Sequence, residues 1–290
     1  MWTAWILSSA VFLAFYDLAK KASVKGNAVV PVLLVSSFCG TVAYLSALGC
    51  SGKMADIVAS SDMRVVVLSG VKTLIVSTSW VLTYCALRTL PITIATPIRA
   101  SAPAVVLLVA VFLYGERPAP LQYAGMALVF AGYWAFSWAG RHEGIDFLRD
   151  KAVWYALAGM LFSAASSLWD KYLLQIQALQ VEQMQFWFQL GLVTVYAVLL
   201  AANRVLRLDR TPFEWRWTIP AVGILLAFAD WLYFHGLAIP DVPISVGSLM
   251  RRFSVVITFL LGAKVFHETN LRRKGLALAA IVAGIVLMAL

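Results

Sequence analysis

Charge is scarce in this 290-residue sequence: Asp, Glu, Lys and Arg make up 13% of it, against about 25% in soluble domains. Long polar stretches are missing too, which leaves no room for a soluble catalytic domain. Cysteine is rare, and Cys39, Cys50 and Cys85 stand at no metal-ligand spacing; they read as small core residues. His142, His235 and His267 are scattered with no His-x-x-x-His or Cys-His cluster, so a metal site has no basis. A Gly-x-x-x-x-Gly-Lys phosphate loop is absent, as is any paired-carboxylate or Ser-His-Asp constellation. These absences argue against an ATP-driven pump and an intramembrane hydrolase, and the chain reads as a non-enzyme without cofactor or metal.

What fills the sequence is apolar: 62% hydrophobic residues and a mean hydropathy of +0.84. A spanning helix needs about 20 mostly apolar residues. Runs of that length fall at 2–20, 28–50, 65–87, 92–114, 119–139, 152–173, 184–203, 217–237, 243–264 and 272–290. They lack the alternation of barrel strands, and lipid leaves unpaired backbone no other partner, so the fold class is an all-α bundle of ten transmembrane helices. No basic stretch precedes the first run, which is therefore expected to be a retained helix and not a leader. Turn residues punctuate the connections, as in Lys25-Gly26-Asn27, Pro118-Ala119-Pro120 and Pro240-Asp241-Val242-Pro243. The formal charge of +9 resides mainly in these short connections, which suits a membrane surface and not nucleic acid.

The two halves of the chain are self-similar. A shift of 152 positions places Pro91 on Pro243, Arg99 on Arg251, Glu116 on Glu268 and Gly132 on Gly284. A shift of 153 places Asp17 on Asp170. The expected organisation is a five-helix unit over 1–139 repeated over 152–290. Because five is odd, the second copy enters from the opposite side, an inverted repeat of the kind carriers use for alternating access.

The segment from Leu90 through Phe136, with a Pro-bounded fourth helix, Gly115-Glu116 at its end and a Gly- and Ala-rich fifth helix, resembles the EamA domain of the drug/metabolite transporter superfamily. Leu237 to Leu290 resembles it again, with His267-Glu268 in place of Gly115-Glu116. The resemblance implies two EamA-like halves around a central cavity. The first, third, fourth, sixth, eighth and ninth helices would form it, and the fifth and tenth would pack peripherally. It names no substrate.

Lys and Arg divide unevenly between alternate connections. Lys20, Lys21, Lys25, Arg88, Arg141, Arg149, Lys151, Arg204, Arg207, Arg210, Arg216, Lys264, Arg272, Arg273 and Lys274 fall on one side. Lys53, Arg64, Arg117 and Lys171 fall on the other. The positive-inside rule makes the first side cytoplasmic and both termini external, whereas the family resemblance implies internal termini.

Basic residues inside apolar runs cost about 2.5–3.5 kcal/mol on insertion scales and face a cavity or a partner. Lys72, Arg99, Arg251 and Arg252 are of this kind. Arg99 and Arg251 would bind a substrate anion, form gating pairs, or be scaffold residues satisfied by an acid. Asp17, Asp170 and Asp230 are the acidic candidates, either for proton coupling or for ion pairs to Lys20, Lys171 or an intramembrane Arg. Trp80 and Tyr84, Trp169, and Trp231, Tyr233 and His235 supply rings that would either wall a cavity or anchor at the interface. Gln189 belongs to a polar stripe with Gln185 and Tyr196. Ala127, Ala131 and Gly132, and Gly275, Ala279, Ala283 and Gly284, have the spacing of close helix packing, between halves or protomers.

The expected function is secondary transport of small polar or aromatic metabolites across the cytoplasmic membrane by a multi-pass protein, with export of amino acids or related compounds. The partners are a small-molecule substrate, the bilayer and protons as coupling ion, in a monomer or homodimer. An organic cation such as choline is the alternative cargo. A non-transporting scaffold or sensor is the alternative class.

Overall fold

The computed structural model describes residues 2–24, 26–89, 98, 102–138, 151–206, 211–254, 256–258, 261 and 271–289. Its helices are α1 (Trp2–Val24), α2 (Val29–Cys50), α3 (Met54–Ser60), α4 (Met63–Thr89), α5 (Ala102–Tyr114) and α6 (Pro120–Trp138). They are followed by α7 (Lys151–Lys171), α8 (Val181–Leu206), α9 (Thr218–Leu237), α10 (Ile244–Arg251) and α11 (Leu271–Ala289). No strand occurs among the described residues. Among the described residues six helices are long and apolar enough to cross a membrane: α1, α2, α4, α7 with its extension to Ile176, α8 and α9. The protein is a multi-pass helical membrane protein.

Apart from the expected run 92–114, of which the helix Ala102–Tyr114 covers the later part while most of 92–101 lies outside the described residues, the apolar runs foretell these helices to within a few residues, with three differences. No run predicts α3, because seven residues are far below spanning length. It fills the connection before α4, whose first turn is capped by Asp62 Oδ1 accepting from Val65 N at 2.9 Å. α7 does not stop near 173 but runs into a π-helical turn over Tyr172–Ile176. The expected span 243–264 is interrupted: α10 ends at Arg251, and Arg252 N and Phe253 N bond back three residues, to Leu249 O and Met250 O. Local π and 3₁₀ geometry of this kind is frequent at functional positions.

Packing is mainly pairwise and reaches across the sequence. α1 lies on α9, α4 on α7, α2 on α9, α4 and α2 on α8, α5 on α7, α10 on α1 and α5, and α6 on α11. Without a hydrophobic driving force in lipid, such contacts depend on close backbone approach and interhelical hydrogen bonds. Both are present. A Cβ on Gly40 of α2 would lie 2.6 Å from Gly223 O of α9, and one on Gly125 of α6 would lie 2.6 Å from Gly284 O of α11. Ser9 Oγ of α1 donates to Ala229 O of α9 at 2.6 Å, and Ser79 Oγ of α4 donates to Gly159 O of α7 at 2.7 Å. The small-residue seam therefore runs through Gly125 and Gly284. Ala127, Ala131, Ala279 and Ala283 are exposed, one helix face away from where intramolecular packing required them.

Candidate functional site

α1, α4, α7 and α9, with the end of α10 and Phe188 of α8, enclose a cavity of about 160 Å³. A cavity near 150 Å³ takes a benzene-sized molecule, and drug-sized pockets begin near 300 Å³, so the space suits a small solute. Its wall on α7 carries Ser163, Ser166 and Ser167 on the same side as Asp170, and α4 adds Ser79, Trp80 and Thr83. Helix periodicity explains this: hydroxyls three and four residues apart share one face.

Two ion pairs form one end of the cavity. Lys72 of α4 pairs with Asp170 of α7, and Arg251 at the end of α10 pairs with Asp230 of α9. Lys72 is only 1% exposed, Asp170 4% and Asp230 6%. Lys72 Nζ also lies 4.8 Å from the Phe188 ring centroid and 4.6 Å from that of Phe234, while Arg251 Cζ lies 4.3 Å from that of Tyr233. Cation–π contact compensates these charges where water is excluded. The π-helical turn after Asp170 and the interruption at Arg251 place irregular backbone next to both pairs. Tyr233 Oη and Arg251 Nε have no hydrogen-bond partner among the described residues.

Beyond this floor, toward the start of α1 and α10, lie Ile6, Leu237, Ile244, Leu249 and Met250, each fully buried. In the other direction the cavity reaches Lys20, Thr83 and Gly159, near where α1 and α4 finish and α7 begins.

Of the candidates read from sequence, Asp17, Lys72, Trp80, Asp170, Asp230, Tyr233, Arg251 and Arg252 line this cavity. Tyr84 and Gln189 line a smaller adjoining pocket. Lys20 Nζ sits 4.7 Å from the Tyr84 ring centroid. Three others lie elsewhere. Trp169 donates through Nε1 to Leu68 O at 3.2 Å and packs on Tyr172. Trp231 and His235 face Trp5 and Glu182 at the packed end, with His235 stacked 5.5 Å from Trp5 and its Nε2 3.8 Å from Glu182 Oε1. Of the two readings open for these rings, cavity wall or interface anchor, the first has no support at these three positions: α9 turns Asp230, Tyr233 and Phe234 toward the cavity, and a helix cannot aim every ring the same way. Arg99 falls outside the described residues.

In the sequence Glu116 stands only as a marker of the repeat, and the structure gives it a position. The left-handed turn at Gly115, φ 61°, directs Glu116 back into the bundle. There its Oε1 accepts from Lys171 Nζ and from Ile244 N, each at 2.7 Å, and its Oε2 accepts from Ser245 Oγ at 2.5 Å. One carboxylate, 8% exposed, joins α5, α7 and the N-terminus of α10, where orphan amides and the helix dipole favour an anion. Lys171 therefore serves Glu116, and Asp170 takes its cation from α4.

The chain has likenesses among known proteins both in sequence family and in fold. Residues 1–138 match the model of the EamA-like transporter family. The chain also superposes on a solved crystal structure with a TM-score of 0.79 at 18% identity, covering 100% of this chain and 98% of that one; at such identity the likeness is one of fold alone. Comparison with curated proteins finds no match.

Proposed function

We propose, from the match of residues 1–138 to the model of the EamA-like transporter family, that the chain is a secondary carrier that exports amino acids or related small metabolites across the cytoplasmic membrane by alternating access. The observation that carries this reading is the polar cavity whose floor is closed by Lys72–Asp170 and Arg251–Asp230. A zwitterion entering there offers a carboxylate to Arg251 or Lys72 and an ammonium to Asp230 or Asp170. Each buried charge can then change partner without being left alone, a state that costs about 3–5 kcal/mol. Tyr233 Oη and Arg251 Nε are further donors for the carboxylate. An Asp released from its cation is the group a coupling proton would neutralise.

The proposed architecture is ten helices in two inverted repeats, 1–139 and 152–290. Its support is that the contacts come in mated pairs. α1 with α9 is matched by α7 with α4, α5 with α7 by α10 with α1, and α2 with α9 by α8 with α4. The cavity lies toward the end of the bundle to which the charge count assigns Lys20, Lys21, Lys151, Arg204 and Arg216. The positive-inside rule puts that end in the cytoplasm, so the cavity would load from within. Lys20, Lys72, Arg251 and Arg252 beside the cavity disfavour an organic cation as cargo.

Flux in proteoliposomes across anionic, zwitterionic and cationic solutes tests the reading. Zwitterions should move fastest, and Asp230→Asn or Arg251→Ala should each reduce flux at least about tenfold at matched protein levels. Partial recovery in the double variant assigns Arg251 to the gate. No recovery, with lost preference for carboxylates, assigns it to the solute. Absence of flux for every class in the wild type overturns the carrier reading.

A further inference from the structure

Beside the main cavity lies a niche of about 10 Å³ between α2, α8 and α9. Tyr16, Trp80, Leu226 and Asp230 border both spaces. About 10–15 Å³ holds one water-sized group, so the niche admits a hydroxyl or the tip of a carboxamide but not a ring.

Its walls are polar in a way that packing does not explain. Ser37 of α2 is 6% exposed and Gln189 of α8 is 4% exposed. Neither side chain has a hydrogen-bond partner among the described residues, although an amide brings two donors and an acceptor. Gln185, one turn earlier on α8, ties α8 to α9 through Nε2, which donates to Ala227 O at 2.7 Å, and leaves its Oε1 buried without a partner among the described residues. Gln189 makes no such tie and faces the niche. The Gly40–Gly223 approach presses α2 against α9 behind it, and Trp80, stacked on Tyr196 at 6.5 Å, forms a flat side. Both side chains therefore present polar surface to the niche, and a ligand group that hydrogen-bonds it is favoured over an apolar isostere.

We propose that the niche at Gln189 and Ser37 is a specificity subsite for an uncharged hydrogen-bonding group, hydroxyl or carboxamide, on a small zwitterion whose charged head lies among the ion pairs. This rests on the carrier reading above and adds what the cargo must carry. Asp230 links the two parts, since it faces both the head group and the niche. The cargo is therefore selected by its side chain at a point removed from the charges that move it.

Isosteric pairs read this directly. In proteoliposomes of the full chain, L-asparagine should be carried at least about tenfold more efficiently than L-leucine, and L-threonine more efficiently than L-valine. Gln189→Leu should reduce the asparagine-to-leucine ratio to near one, and Ser37→Ala should reduce it partially. If those variants do not fold, the wild-type ratios decide. Equal transport within each pair overturns the subsite, as would a niche filled by a bound water only, while leaving the carrier intact. Transport of other zwitterions with none of these four overturns the subsite's ligand class. Absence of flux for every solute is the separate failure of the carrier reading.

Discussion

The two ends of the bundle are built from the same helices and contrast sharply. Toward the start of α1, the core closes over Ile6, Leu237, Val246 and Leu249, each fully buried. Toward its finish, α1, α4 and α7 turn Lys20, Thr83 and Ser163 to a shared space. Between them lies the floor of paired charges. The contrast teaches that closure and solvation here are properties of position along a helix, not of whole helices. α1 contributes Ile6 to one end and Asp17 to the other, and α9 contributes Leu237 and Leu226. In the carrier proposed above, these two conditions would exchange about the charged floor.

The largest effect should come from breaking that floor. Lys72→Met leaves Asp170 buried without its cation and should cost about 3–5 kcal/mol, while Lys72→Met combined with Asp170→Leu should recover most of the loss. Thermal unfolding in detergent or nanodiscs measures both. A single variant as stable as the wild type would mean that water already reaches the floor and that the two ends are less distinct.

A smaller loss is expected at the packed end from Glu116→Gln. This substitution removes the Lys171 ion pair and weakens the hold on Ile244 N and Ser245, a change of about 1–3 kcal/mol. If the halves are true repeats, Glu268→Gln should cost a similar amount, and the same unfolding measurement compares them. A wild-type melting profile for Glu268→Gln alone would break the equivalence of the halves.

The smallest effects belong to the exposed face of the peripheral pair α6 and α11. Ala127→Leu and Ala283→Leu should change stability by no more than about 0.5 kcal/mol. Gly284→Ala should cost about 1–3 kcal/mol through overlap with Gly125 O and Val129. Cross-linking of the alanine variants in membranes sharpens the point. Loss of a dimer species there would move the exposed alanines from a lipid face to a protomer contact.

Much of this protein is legible in its residues alone. Apolar runs of spanning length, cut by Gly, Pro and Asn, determined the membrane class and most helix limits, because lipid enforces length and backbone satisfaction regardless of neighbours. The rarity of intramembrane charge singled out Lys72, Asp170, Asp230 and Arg251, because each is costly wherever the helix turns it. Tertiary structure alone decided who pairs with whom. Asp170 stands beside Lys171 in sequence yet takes Lys72 from ninety-eight positions away, and Asp230, with no Lys or Arg on its own helix, takes Arg251. It also decided that Trp231 and His235 turn toward the packed end, that Glu116 joins three helices, and that the seam joins the expected Gly284 to Gly125 and not to the alanines. The physical reason is shared. Lipid and protein interior are alike apolar, so helical periodicity groups residues onto faces without saying which face meets a neighbour. Only the packed backbone, through glycine contacts and the ion pairs it brings together, settles that.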